Sequence, residues 1–232
     1  RNITLYGKDF IKTFLEDSPT KNLYTISGLA IGVDTVVHEE SLKNQIPTIA
    51  VLAHGFHTLY PSKNKKLSEG ILENGGVLLT EFNFMQRPER EYFIQRNRIV
   101  AGLSSSLIVV ETAYGGGSMS TATFANSYNR DVYALPGKIT DKYSQGCNHL
   151  IFKNKAATIS NIKELYSLLG LSQETKIESL FPNEEMSVKL SENQLIIYNL
   201  IKVNPNVDLD QLSELSEFPT YKILPILLEL EI

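Results

Sequence analysis

Short apolar runs rich in β-branched residues recur along the chain, at 23–27, 48–53, 77–81, 107–111, 132–135 and 158–159. Before and between them lie stretches whose apolar positions follow helical spacing, at 8–16, 32–43, 65–73, 91–103, 118–128 and 149–154. Strands that are apolar almost throughout must be covered on both faces, and helices that alternate with them supply that cover. The pattern therefore predicts an α/β domain over residues 1–169, built on a parallel sheet with helices on both faces.

The pattern changes after residue 169. Residues 170–188 are polar and include Pro182, which reads as a linker. Helical spacing returns at 191–203, 209–217 and 221–230, and Ser191 with Gln194 forms a capping box at the first of these. Three short helices over 189–232 predict a small winged-helix-like domain that is truncated, since the sequence stops where wing strands would follow. A segment ahead of Arg1 is also expected to be missing, because the first residue is not methionine.

Composition narrows the function. No apolar run is long enough for a membrane helix, and no signal peptide is visible. Cys147 is the sole cysteine, so no internal disulfide is possible, which fits a reducing cytoplasm. His38, His54, His57 and His149 are scattered without ligand spacing, so no metal and no cofactor is expected. The net charge of −4 is divided unevenly. Residues 1–170 carry 18 basic against 15 acidic groups, or +3, whereas residues 171–232 carry 4 against 11, or −7. Nucleic-acid contact is expected in the first part, since phosphate repels the acidic tail.

Three clusters follow the predicted strands, where ligands of open parallel sheets sit. Ser27-Gly28-Leu29-Ala30-Ile31-Gly32-Val33-Asp34 leads from a strand into a helix. It reads either as a phosphate cradle at a helix N-terminus or as a tight turn needing glycine for its own geometry. Gly115-Gly116-Gly117-Ser118 opens another helix and reads as a second anion cradle or as a flexible loop. No lysine follows its glycines, so it is not a Walker A loop. The third cluster spans Phe93, Arg96, Asn97 and Arg98, with Arg87 and Arg90 upstream. Guanidinium groups suit phosphates and an aromatic ring suits an unpaired base. The competing reading has an arginine capping Glu81 or Glu111 while Phe93 packs in the core.

Read in order, these clusters resemble the DprA (Smf) family of DNA-processing proteins. The segment Arg1-Asn2-Ile3-Thr4-Leu5-Tyr6-Gly7 resembles the family's Gly-Ser/Thr-Arg…Tyr-Gly motif from its arginine onward. Residues 27–34 with His38 match its Ser-Gly-x-Ala-x-Gly-Ile/Val-Asp turn, and Tyr60-Pro61-Ser62-Lys63-Asn64 its Tyr-Pro-x-x-Asn motif. Residues 93–103 match Phe-x-x-Arg-Asn-Arg-x-x-Ala-Gly-Leu, residues 117–122 the Gly-Ser-x-x-Thr-Ala turn. Pro136-Gly137 and Gly146-Cys147-Asn148-His149-Leu150-Ile151 complete the set, which covers about residues 1–160. The chain departs from the family in lacking the strand and Gly-Ser/Thr ahead of Arg1. In some members a lysine directly follows Tyr-Pro; here Ser62 stands there, with Lys63 next.

The resemblance implies a Rossmann-like fold and a dimeric, ATP-independent, non-catalytic protein. Such a protein coats single-stranded DNA and helps load the RecA recombinase during natural transformation. It implies that Arg1, Phe93, Arg96, Asn97 and Arg98 face the DNA. Gly28, Lys63, Arg90, Gly117 and Ser118 complete the expected interface. The alternative is a nucleotide-processing hydrolase of the lysine-decarboxylase-like (LOG) group, which needs a glutamate on the helix after Gly117; that helix offers none. A winged-helix transcription factor is disfavoured by the −7 tail. His54 and His57 stand at a strand end, where histidines are more often structural than catalytic.

Overall fold

The computed structural model describes residues 3–171, 190–204 and 207–230; Arg1 and most of the expected linker lie outside them. The chain divides into two compact units, residues 1–173 and 174–232. The first begins with α1 (Leu5–Glu16), whose N-cap Thr4 accepts a hydrogen bond from the Gly7 N–H at 3.3 Å. Its apolar stripe, Phe10, Ile11, Phe14 and Leu15, is buried.

Strands and helices then alternate: β1 (Thr25–Ser27), α2 (Val33–Lys43), β2 (Thr48–Val51), α3 (Lys65–Glu73), β3 (Val77–Leu79), α4 (Arg90–Leu103), β4 (Ser106–Val109), α5 (Gly117–Ser127), β5 (Asp131–Ala134), α6 (Gln145–Phe152), β6 (Ala157–Thr158) and α7 (Ile162–Leu168). All strand pairs are parallel, as the apolar runs predict. They form two three-stranded sheets, β1-β2-β3 and β4-β5-β6. The outer strands β1 and β4 are edges of separate sheets, and both line one cleft of about 1180 Å³.

Apolar packing ties the two sheets together on the α1 side. One core joins Phe10, Phe14 and Leu15 of α1 to Val110, Tyr133 and Leu135 near β4 and β5, and to Ile46 ahead of β2. A second core lies under α5 and α6, and a third groups Leu29, Ala50, Leu52 and Ile71 around β2 and α3. Each fully buried Leu or Ile stabilises the fold by about 1.5–3 kcal/mol.

Helix α6 starts well before the predicted residue 149. The Gly146 N–H donates to Thr112 O at 2.9 Å, and a Cβ there would collide with that carbonyl. The glycine serves close approach to the chain after β4, and the helix runs through it. Helix α7 was not anticipated; its N-cap Asn161 accepts from the Glu164 N–H at 2.8 Å.

The second unit holds α8 (Glu192–Val203), α9 (Leu209–Ser216) and α10 (Thr220–Leu230) around Ile197, Leu212 and Ile223. Ser191 with Gln194 and Asp208 with Gln211 form complete capping boxes, the first as the sequence predicts.

Candidate nucleic-acid interface

The Gly28 turn is built differently from a phosphate cradle. After β1 the chain passes through Leu29 and Gly32, both at positive φ (57° and 108°). The Asp34 carboxylate accepts from the N–H groups of Gly28 and Ala30, each at 3.1 Å. Those donors therefore serve the protein's own carboxylate and not an outside anion. The carbonyls are occupied as well: Arg96 donates to Gly28 O at 2.8 Å, Asn64 to Leu29 O at 2.8 Å, and Thr35 to Ala30 O at 2.8 Å. A Cβ on Gly28 would run into the Arg96 guanidinium. The glycine is needed for that contact, the second of the two readings the sequence allows for this turn.

Arg96 is turned inward at the same place. It is 3% exposed, and besides Gly28 O it donates to Val51 O at the end of β2. Burial lowers its pKa from the ordinary 12.5, and the Asp34 carboxylate opposes that shift. A guanidinium so enclosed holds strand ends together. Asn97 points its amide inward too, accepting from Arg96 Nε at 3.2 Å and donating to Gly117 O at 3.2 Å and Ser120 Oγ at 3.0 Å. Arg98 pairs with Glu81, the carboxylate that the competing reading named.

What stays open lies along one face of α4 and at the start of α5. Arg90, Phe93 and Asn97 are spaced three and four residues apart, so they share a helix face, and all three line the cleft. Arg90 is exposed and, among the described residues, has no ion-pair partner. Phe93 is half-buried and meets Tyr60 edge-on, with ring centroids 5.7 Å apart. Tyr60 did not enter the sequence-based site; its backbone N–H is held by buried His54 at 3.1 Å. Lys63, on a short 3-10 helix (Ser62–Asn64), is exposed but does not line the cleft.

The α5 N-terminus borders the same cleft. Its N-cap Gly116 makes no side-chain cap, Gly115 sits at φ 71°, and Gly117 and Ser118 are exposed. A Cβ on Gly117 would meet nothing within 4 Å, so a ligand has access to the backbone there. Free N–H groups with a favourable dipole suit an anion.

Cys147 is buried, and that burial pushes its thiol up to about 11. His54 is buried with both ring nitrogens near backbone partners, and His57 is exposed against Phe84. Among the described residues no group of three His, Cys, Asp or Glu is placed to hold a metal. None of the described helices is long and apolar enough to cross a membrane.

The model of one family, described as DNA recombination-mediator protein A, matches residues 1–170. The chain belongs to that family. Protein Smf of Escherichia coli is 33% identical over 231 residues, covering 98% of this chain and 61% of that protein. DNA processing protein DprA of Streptococcus pneumoniae is 43% identical over 129 residues, 56% of this chain and 45% of that one. The chain thus spans about six tenths or less of these relatives. The X-ray structure of the S. pneumoniae protein superposes with a TM-score of 0.65 at 32% identity, covering 74% of this chain and 62% of that one. A structure of Helicobacter pylori DNA processing protein A superposes with the same TM-score at 31% identity, over 72% and 74% of the two chains. That work describes a single-stranded DNA binding mode of the H. pylori protein.

Proposed function

We propose that this chain binds single-stranded DNA along α4 and the α5 N-terminus. Arg90 and the Gly117–Ser118 backbone meet phosphates, and Phe93 with Tyr60 receives a base. The observation that carries the reading is the shared cleft: an arginine with no ion-pair partner among the described residues, an aromatic pair and an uncapped helix start all line it. These are the groups a single-strand groove needs, and no base-edge reading helix lies among them.

Family membership supports extending the proposal to helping load the RecA recombinase on the bound strand in natural transformation. In this proposal the chain works as a cytoplasmic homodimer, without catalysis, and its three-helix unit is the start of a winged helix. The absence of any carboxylate on α5 favours this over a nucleotide hydrolase of the LOG group.

Two substitutions test how the labour is divided. Arg90→Ala should weaken binding and flatten the salt dependence by about 0.7 in slope, the value of one lost phosphate on a single strand. Phe93→Ala should cost roughly 1–3 kcal/mol of binding with the slope unchanged. Salt titrations of both variants check this. A normal salt slope in Arg90→Ala, or full affinity in Phe93→Ala, contradicts the assignment.

A further inference from the structure

The two half-sheets share no strand pairing, yet a continuous run of hydrogen bonds links the turn of one to the turn of the other. It passes from Gly28 O to the Arg96 guanidinium at 2.8 Å and from Arg96 Nε to Asn97 Oδ1 at 3.2 Å. From there Asn97 Nδ2 reaches Gly117 O at 3.2 Å. Only one orientation of the Asn97 amide serves both neighbours, since its oxygen must face a donor and its nitrogen a carbonyl. Arg96 anchors α4 on the ends of β1 and β2, and Asn97 then ties the α5 start to α4. Phe93 stands one turn before Asn97 on the same face. The amide thus sets the distance between the aromatic ring and the Gly117 backbone.

We propose that Asn97 is a positioning residue for the single-strand site, holding the Gly117 turn in register with Phe93. A phosphate seated at Gly117 then delivers its neighbouring base onto the ring. The inference rests on the proposed single-stranded DNA binding. Asn97 itself touches no DNA, because both ends of its amide are engaged within the protein. Without the tie, the phosphate and the base still find their own partners, but one strand no longer satisfies both at once. The advantage lost is that of two linked contacts acting together.

The test compares an oligothymidylate with an abasic phosphodiester strand of equal length, and follows melting temperature alongside. In the unaltered protein the bases should add about tenfold in affinity, within the range of one stacked base. Asn97→Ala should reduce that preference to the level of Phe93→Ala, with the ring still present. Its affinity for the abasic strand, and its salt slope, should stay those of the unaltered protein. Should Asn97→Ala melt much lower, Asn97→Ser, which keeps a polar group on α4 but is too short to span Arg96 and Gly117 O together, is held to the same pattern. Equal loss on both strands would mean that Asn97 contacts the backbone or acts globally, and an unchanged base preference would mean that the tie does not matter; either overturns the proposal. If the unaltered protein bound neither strand, the single-strand reading itself would fail. If it bound both strands equally, Phe93 stacking would fail and the register proposal with it.

Discussion

Arg96→Ala should lower the melting temperature of the protein by roughly 10 °C. The guanidinium is buried and donates to Gly28 O and Val51 O, so its removal strips two inward carbonyls of a charged donor. Each such hydrogen bond contributes about 1.5–3 kcal/mol, which places the total near 4 kcal/mol. In a chain of this size, each kcal/mol shifts the melting temperature by roughly 2–4 °C. Arg96→Lys should recover only part of the loss, since an ammonium cannot reproduce the planar fork. Gly28→Ala should act in the same direction by pushing the guanidinium out of place. Thermal melts of the three variants decide the matter. A melting temperature within about 2 °C of normal, coupled with lost DNA binding and a flatter salt slope, would return Arg96 to a phosphate-contacting role.

The second large effect is acid sensitivity seated at His38. Its ring is fully buried, Nδ1 lies 2.7 Å from Thr48 Oγ1, and Nε2 has no hydrogen-bond partner among the described residues. Burial pushes its pKa down from 6.5 to about 4; Asp34 opposes that shift and Arg96 adds to it. The unfolded chain therefore takes up a proton near pH 6.5, while the folded chain resists until about pH 4. Stability is full above pH 6.5 and falls as pH drops toward 4, by about 3 kcal/mol from this group alone. Denaturant titrations at the two pH values, compared with those of His38→Gln, isolate the effect from the carboxylates. The variant should lose about 3 kcal/mol less between them than the parent. An identical loss in both would show that His38 does not govern it.

The fold was legible because parallel strands buried on both faces leave a simple trace: apolar runs separated by helical spacing. Its misses came where a residue's usual signal was overridden. Helix α6 starts ahead of residue 149 and includes Gly146, where the chain after β4 passes too close for a side chain. Helix α7 is short, and the only sequence sign of it is the Asn161…Glu164 pair at its start.

The site was legible as a neighbourhood and not as a set of roles. Gly28, Arg90, Phe93, Arg96, Asn97, Gly117 and Ser118 all line one cleft. Sequence cannot tell an arginine aimed at solvent from one aimed at strand ends. Arg96 and Arg98 stand two positions apart on α4, so they point to different sides of it. One is buried on backbone carbonyls, and the other pairs with Glu81. Asp34 was read as part of a glycine turn, whereas its carboxylate occupies the donors that the turn was expected to offer. Tyr60 stands out in sequence only as the start of the Tyr-Pro-x-x-Asn motif, and its partnership with Phe93 depends on contact across the fold.

The central claim is that the α4–α5 face binds single strands in preference to duplex. It is tested most directly by titrating the protein with an oligothymidylate and a blunt duplex of equal length across a series of salt concentrations. The account predicts clearly tighter binding of the single strand, weakening with salt at a slope of about 0.7 for each phosphate neutralised. Equal or tighter binding of the duplex would contradict it.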